Sequence, residues 1–380
     1  MDKILFDGLS LQSKQAGQFH GGGEYAKFLL REAISAGYTF DVVLSRQLYT
    51  DPAIEQYMRE HPNIITHTVD GKSGVYNLIN SGAYTRFFSA LPNIYSDYRC
   101  ATPLFGVIHG LRSIELPWDY YRYKYARTTK DKLRDWLISQ SIRMQERLKQ
   151  KHIALNSRLI SIKGARFIVV SEHTKHSVLS FFPHLRPEDI SVHYSPFTID
   201  QPTNAPKEDF YLMVSGNRYE KNVYRAVLAF DKLFSGGWLA DKKVKITGCS
   251  GMPLWPEVQC RDRFELLPYV STEELNRLYE CAHCFVYPSL NEGFGYPPLK
   301  AMGYGTPVVA SSATSIPEVC GDAAGYFSPT NIDDMANRIL RVDLDHDHYA
   351  SLVERGYRRV KELLDKQTAD VPQLLQMIFG

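Results

Sequence analysis

The sequence predicts an α/β protein built from two doubly wound parallel sheets, and three observations carry that reading. Short β-rich runs alternate with amphipathic helical runs along the chain. Several of those runs are continuously apolar, as strands covered on both faces must be. A single proline-rich polar stretch, PFTIDQPTNAPKED at 196–209, divides the chain into halves of similar size. The 380 residues suffice for two domains at roughly 150 residues each.

The strands come first. KILFD (3–7), YTFDVVLS (38–45), PLFGVIHG (103–110) and RFIVVS (166–171) lie before the proline-rich stretch; FYLMVSG (210–216), VKITG (244–248), CFVYPS (284–289) and TPVVASS (306–312) lie after it. Helical periodicity fills the gaps. Tyr25, Phe28, Leu29, Ala33 and Ala36 form one face over 24–36, with Gly37 as its stop. Val223, Ala226, Val227, Phe230 and Phe234 form another over 223–235, with Asn222 expected as N-cap and Gly236 as terminator. Ser271-Thr-Glu-Glu274 reads as a capping box opening a further helix. The expected domains are 1–195, a linker at 196–209, 210–350, and a C-terminal helical segment at 351–380. That last segment is expected to cross back onto the first domain, with Leu352, Val360, Leu363 and Leu364 as apolar contacts.

Composition excludes several classes. With 44% hydrophobic and 23% charged residues the chain is neither disordered nor collagen-like. No run reaches about 18 uninterrupted apolar residues, so no membrane-spanning helix is expected. The N-terminus carries Asp2 and Asp7 and does not read as a signal peptide, so a cytoplasmic protein is expected. The six cysteines do not form a disulfide framework under that reading. Cys281-Ala-His-Cys284 has metal-pair spacing, but it sits where a helix runs into a strand and reads as buried thiols. Asp345-His-Asp-His348 is also metal-like, yet it reads as a polar loop far from the motifs below. No metal site is expected.

Charge is uneven. Residues 118–163 hold twelve Lys/Arg against four Asp/Glu, a local +8 in a chain of net +2. The segment lacks Gly and Pro and is long for one globular helix, so a helix pair or an extended excursion is expected. Leu133, Trp136, Leu137, Met144, Leu148 and Leu155 roughly follow one stripe. Either the stripe packs and leaves a solvated basic face, or the segment is a surface for an anionic lipid headgroup or a pyrophosphate-linked acceptor. The cluster YYRYKY at 120–125, including Tyr120 and Tyr121, suits a membrane interface or a sugar-stacking wall.

The most informative stretch is Ser289-Leu-Asn-Glu-Gly-Phe-Gly-Tyr-Pro-Pro-Leu-Lys-Ala-Met302, followed by Gly305-Thr-Pro-Val-Val-Ala-Ser. A strand ends at Ser289 and Glu292 follows, at the carboxyl edge where open α/β sheets bind ligands. Gly293 and Gly295 permit close backbone approach. Pro297 and Pro298 suit a first helical turn, whose free amides form a phosphate seat. A carboxylate beside a phosphate seat makes sense if it accepts hydroxyls of a phosphorylated sugar. As a loop residue at a strand end, Glu292 is expected to be dispensable for folding.

This stretch resembles the retaining glycosyltransferases of family 4, of GT-B fold, in which two Rossmann-like domains face a central cleft. Their pattern is Glu-Gly-Phe-Gly-x-Pro-x-Leu-Glu-Ala-Met, then a Gly-Thr-Pro-Val-Val strand, a Pro-Glu-Val turn and Gly-Asp. Ser315-Ile-Pro-Glu-Val319 and Gly321-Asp322 continue it. The resemblance implies that Arg218 and Lys221, in Ser215-Gly-Asn-Arg-Tyr-Glu-Lys-Asn222, clamp a donor diphosphate. It implies a role near the donor sugar for His109, although Gly110 replaces the usual Asp. The catalytic set is then His109, Glu292, Arg218 and Lys221. Donor contacts fall to Gly22, Gly23, Gly216, Tyr269, Val270, Gly293, Phe294, Gly295 and Lys300; acceptor contacts fall to Glu24, Tyr120 and Tyr121. The implied donor is a nucleoside diphosphate sugar, with no cofactor and no metal. The implied acceptor is a glycan or lipid-linked glycan, placing the protein at the cytoplasmic membrane face; nucleic acid is not a partner.

One departure stands out. The family's second Glu, eight positions after the first, is Lys300 here. An ammonium has three donors and no acceptor, so it cannot receive ribose hydroxyls as a carboxylate does. Lys300 is expected to meet a ribose oxygen or a phosphate, or to point into solvent. A non-catalytic relative that binds nucleotide or glycan, and a nucleotide-sugar epimerase, stay open as alternatives.

Overall fold

A computed structural model describes residues 3–14, 21–116, 118–250 and 254–380. The chain divides into two compact units. The first comprises Met1–Leu111, Gln150–Pro196 and Lys366–Gly380; the second comprises Arg112–Lys149 and Phe197–Asp365.

The first unit is built on a seven-stranded sheet of β1 (Ile4–Asp7), β2 (Asp41–Ser45), β3 (Ile65–Val69), β4 (Arg86–Ser89), β5 (Leu104–Ile108), β6 (Arg166–Val169) and β7 (Ile190–Val192). Its spatial order is β3-β2-β1-β4-β5-β6-β7. The second unit holds six strands: β8 (Glu208–Met213), β9 (Lys243–Ile246), β10 (Phe264–Leu266), β11 (Ala282–Tyr287), β12 (Val308–Ser311) and β13 (Ala324–Phe327). Their order is β10-β9-β8-β11-β12-β13. Every pairing in both sheets is parallel. The strand order reverses between β1 and β4 in one sheet and between β8 and β11 in the other, which is the doubly wound, Rossmann-like arrangement.

The strands read from sequence form where apolar runs demand burial on both faces. β2, β5 and β12 are buried at every position. Of the strands that no apolar run announces, β3, β7, β10 and β13 are edges. β3 reads Ile65-Thr-His-Thr-Val69 and is largely exposed, so it offers no continuous apolar signal. β4 is central, but its apolar run is only Phe87-Phe88, between Arg86 and Ser89.

Helix Val223–Ser235 has the bounds its periodicity predicts, but Asn222 is not a side-chain cap. It sits in the left-handed region (φ 56°), and its Nδ2 donates to the carbonyls of Pro288 (2.9 Å) and Pro329 (2.7 Å). Asn222 therefore ties together the loops after β8, β11 and β13. Ser271 does cap helix Thr272–Cys281, its Oγ accepting from the Glu274 amide. The predicted polar loop at 345–348 is instead a helix junction. Asp345 accepts from the His348 amide at 2.9 Å and opens the 34-residue helix His346–Phe379.

The basic segment forms a helix pair, Thr129–Ser139 and Ile142–Ile160. The sequence reading puts all of 118–163 in the first domain, whereas contacts group Arg112–Lys149 with the second unit. The reason is a set of buried anchors. Tyr121 and Tyr125 pack against the second core, the Tyr125 hydroxyl accepts from the Tyr224 amide (2.7 Å), and Arg225 pairs with Asp119 (2.7 Å). The expected apolar stripe is mostly unpacked: Leu133 is 57% exposed, and Trp136, Leu137, Met144 and Leu155 are also open, while Leu148 is half-buried; Ile142, outside the stripe, is 84% exposed.

The last helix contributes to both cores. Leu352 belongs to the second unit's apolar cluster. Phe379 lies in the first unit against Phe40 (ring centroids 4.8 Å), Tyr38 and Phe6. Arg86 donates to the carbonyls of Ile378 (2.7 Å) and Met377 (3.2 Å), closing the helix end. Phe379→Ala is expected to cost about 3 kcal/mol, because the ring is removed from a packed site. Urea unfolding of the variant against wild type measures it.

Candidate functional site

The site is built where the second sheet's strand order reverses. β8 and β11 are neighbours there, and the loops leaving their carboxyl ends run 214–222 and 288–295. Parallel order places both loops on one edge, and the crossover in opposite directions leaves a crevice between them. Backbone bonds hold the two together: the Glu220 carbonyl accepts from the Leu290 amide at 2.8 Å. The Ser289 hydroxyl lies between that carbonyl (3.0 Å) and the Glu292 carboxylate.

Lys221 Nζ donates to Glu292 Oε1 at 2.6 Å, and each residue is 7% exposed. The Tyr287 hydroxyl is 3.2 Å from the same ammonium. Two arginines flank the pair. Arg112 Nη2 stands 3.9 Å from Glu292 Oε2, and Arg112 Nη1 donates to Glu220 Oε1 at 2.9 Å. Arg218 Nε donates to that same Glu220 oxygen at 2.8 Å. Three cations and two carboxylates thus share one crevice.

The charges set the protonation states. Burial alone would raise the Glu292 carboxyl, but the Lys221 and Arg112 charges and the Lys221 and Ser289 hydrogen bonds overcome it and hold the group at about 2. Burial pulls the Lys221 ammonium below its ordinary value, and the nearby Arg218 and Arg112 charges oppose the lift from Glu292. Glu220 is also held low: burial works upward, and Arg218 and Arg112 outweigh it.

The loops have local reasons for their shape. Gly295 precedes helix Tyr296–Gly303 at φ 110°, a conformation that disfavours any side chain, and prolines fill the first turn. Gly216 serves packing: a Cβ there would lie 2.5 Å from Cys249 Sγ. Ser315 Oγ bonds the carbonyls of Glu292 (3.0 Å) and Phe294 (2.9 Å), and the Glu292 amide donates to Thr314 Oγ1 (2.9 Å). Phe294 is buried beside Tyr296.

Other expected residues stand apart from this cluster. Lys300 does not point into solvent; it is held by Asn276 (3.4 Å) and Asp200 (3.9 Å), which draws its ammonium toward helix Thr272–Cys281. Tyr269 is exposed, its hydroxyl 3.2 Å from Asn217, and Val270 is half-buried beside it. Tyr120 is exposed, while Tyr121 is covered by Tyr224 and by the Arg225 guanidinium, so its ring faces the core rather than an open wall.

The candidates of the first unit occupy its own sheet edge. Gly22 and Gly23 lie within the first turn of helix Gly21–Ser35, and a Cβ on Gly22 would clash with the Leu91 side chain. Glu24 pairs with Lys27 at 3.0 Å. His109 follows β5, its Nε2 2.9 Å from the Ala90 carbonyl and its ring edge-on to Tyr25.

Sequence reasoning missed Arg112, Glu220, Ser289 and Thr314. Arg112 belongs to no motif, and Glu220 is hidden between the two cations of the expected clamp. Among the described residues no cluster of three His, Cys, Asp or Glu side chains can hold a metal. Cys281 and Cys284 are buried thiols, and burial raises both. Among the described residues no helix is long and apolar enough to cross a membrane.

Glu292 is not the dispensable loop residue the sequence suggests, since its loss strands a buried ammonium. Its carboxyl falls from an ordinary 4.5 to about 2 on folding. A depressed carboxyl stabilises fully above 4.5, and that contribution is lost as pH falls toward 2. Wild type is expected to exceed Glu292→Gln in stability by about 3 kcal/mol near neutrality, the gap closing toward pH ~2. Urea unfolding across pH tests this.

Residues 196–359 match the family described as glycosyl transferases group 1. The chain is 41% identical over 112 residues to the O-antigen chain mannosyltransferase B of Escherichia coli, covering 29% of each. It is 26% identical over 190 residues to the O-antigen chain mannosyltransferase RfbU of Salmonella typhimurium, covering 48% of this chain and 53% of the relative. The matched stretches thus span about a third and about half of those relatives. Among solved structures, Anabaena HepE in complex with UDP-glucose superposes with a TM-score of 0.66 at 16% identity, over 99% of this chain and 98% of that one.

Proposed function

We infer, from the membership of residues 196–359 in the glycosyl transferases group 1 family and from the GT-B fold, that the protein is a glycosyltransferase of polysaccharide biosynthesis. The observation that supports this best is the buried Lys221–Glu292 pair at the point where the second sheet reverses. The proposed donor is a nucleoside diphosphate sugar carrying a hexose or deoxyhexose. Mannose is the first hexose to test, since two relatives are mannosyltransferases by name. The proposed acceptor is a glycan or lipid-linked glycan.

In this reading Glu292, an acceptor of hydrogen bonds at neutral pH, orients sugar hydroxyls. Lys221 and Arg218 neutralise the leaving diphosphate, which is the largest electrostatic task of the reaction. The bond from anomeric carbon to phosphate oxygen breaks, and the acceptor oxygen bonds that carbon on the same face. The acceptor proton passes to the departing phosphate. Configuration is retained, as in family 4, with no second catalytic carboxylate and no metal. His109 and the Gly22–Gly23 turn are proposed to act in the same reaction. Lys300, held by Asn276, leaves ribose recognition to other groups.

Donor turnover by the purified chain tests this. Arg218→Ala is expected to weaken nucleoside diphosphate binding by about 1.5–3 kcal/mol, as loss of a charged hydrogen-bond donor does. Calorimetry measures it, and unchanged affinity would move the phosphate site elsewhere.

We also propose a peripheral membrane role at the cytoplasmic face for the basic helix pair. Its exposed Leu133, Trp136, Leu137 and Ile142 lie in a segment of local +8 charge, the combination an anionic bilayer surface receives. Sedimentation with anionic vesicles should exceed that with neutral ones, and the difference should fall with salt. Equal binding to both would remove the proposal.

A further inference from the structure

The charged cluster contains a cation and a carboxylate that the diphosphate clamp described above does not use: Arg112, partly exposed, and Glu220, largely buried. Arg112 lies on the short helix Arg112–Glu115, outside the strand–loop motifs that supply Arg218, Lys221 and Glu292. Two contacts aim that helix at the crevice. Glu115 accepts from Asn291 Nδ2 at 2.9 Å, one residue before Glu292, and Arg112 reaches Glu220 and Glu292. The segment that follows is fixed to the second unit by Asp119–Arg225 (2.7 Å) and by the Tyr125 hydroxyl on the Tyr224 amide. The position of Arg112 is therefore held by the segment that follows it.

Its hydrogen bonding is incomplete. The Arg112 Nε is buried and finds no partner. One guanidinium arm is spent on Glu220 Oε1, and that single oxygen also receives two donors from Arg218. Two arginines sharing one carboxylate oxygen are under-supplied with acceptors. The cluster as a whole, three cations against two carboxylates, keeps one positive charge, with Lys221 and Glu292 buried and the two arginines open to solvent on its rim. A phosphate group has several oxygens, and it can accept from both guanidinium groups at once.

We propose that Arg112 is a third cation of the donor-diphosphate site and that Glu220 is its internal counter-ion, holding Arg112 and Arg218 together until phosphate oxygens take its place. The proposal rests on the donor-site reading given above. Arg112 stands on the Glu292 side of Glu220, so it faces the phosphate that carries the sugar. It thereby stabilises the charge that develops on the leaving group, while the distal phosphate falls to Arg218. Glu220 has a second effect: it keeps two arginines from repelling one another in the absence of ligand.

Calorimetry of the full chain with GDP, UDP and dTDP, and with the matching monophosphates, tests the proposal. Arg112→Ala is expected to weaken binding of the preferred diphosphate at least about tenfold. It should leave monophosphate binding unchanged, a selectivity that a merely structural role would not produce. Arg112→Lys keeps the charge and should recover part of the affinity; it also serves if the alanine variant fails to fold. Glu220→Gln keeps the acceptor oxygen, removes the competing charge, and should tighten diphosphate binding several-fold. A wild type that binds none of the three diphosphates overturns the donor-site reading and this proposal with it. A wild type that binds one, with Arg112→Ala binding diphosphate as tightly or losing monophosphate equally, overturns only the role of Arg112. Weaker diphosphate binding by Glu220→Gln overturns the counter-ion.

Discussion

The contact between Lys221 and Glu292 carries more of the second unit than its two side chains suggest. Neither charge could stand alone at that depth, because the cost of removing an ion from water exceeds what a surface pair recovers. Each therefore demands the other, and the demand is met only if two loops from different parts of the chain arrive together. The loop after β8 brings the ammonium, and the loop after β11 brings the carboxylate. Their backbones are locked by the Leu290 amide on the Glu220 carbonyl, and their flanks by Asn222 and Ser315. The pair is thus a condition on the sheet order: β8 and β11 must be neighbours, and they are neighbours only at the reversal.

That constraint also explains the charge economy of the crevice. Glu292 stays ionised at any physiological pH because cations surround it, so it can only accept hydrogen bonds. An obligate acceptor beside unsatisfied donors suits a ligand with hydroxyls at one end and phosphate oxygens at the other. The same arrangement explains why Glu220 sits between two arginines. Without ligand, two guanidinium groups close together repel, and the carboxylate between them offsets that repulsion.

The basic helical segment illustrates a different balance. Its tyrosines do not form an open wall, because Tyr121 and Tyr125 find a better environment against Tyr224 and Trp255 in the second core. Leu133, Trp136, Leu137, Ile142 and Leu155 do the opposite and stay open to solvent, whereas Ile138, Leu159 and Ile160 are buried. Aromatic residues with a hydroxyl can be buried when a backbone amide supplies the partner, as Tyr224 does for Tyr125.

The sequence by itself determined the α/β class, the reversal-point motif and three of its charged residues. Those signals are local. Continuous apolar runs specify parallel strands, 3.6-residue periodicity specifies Val223–Ser235, and Glu-Gly-Phe-Gly followed by two prolines specifies a strand–turn–helix with a carboxylate at its start. Edge strand β3 escaped because half-exposed strands need no apolar run, and central β4 because its apolar run is only Phe87-Phe88 between Arg86 and Ser89. Only the tertiary structure decided that Glu292 is buried rather than free, that Asn222 is a tether rather than a cap, and that Lys300 is held by Asn276 and Asp200. It alone placed Arg112 beside Glu220, two residues 108 positions apart. Burial and charge pairing are properties of what the chain brings together across such separations, and no spacing within a single stretch of sequence encodes them.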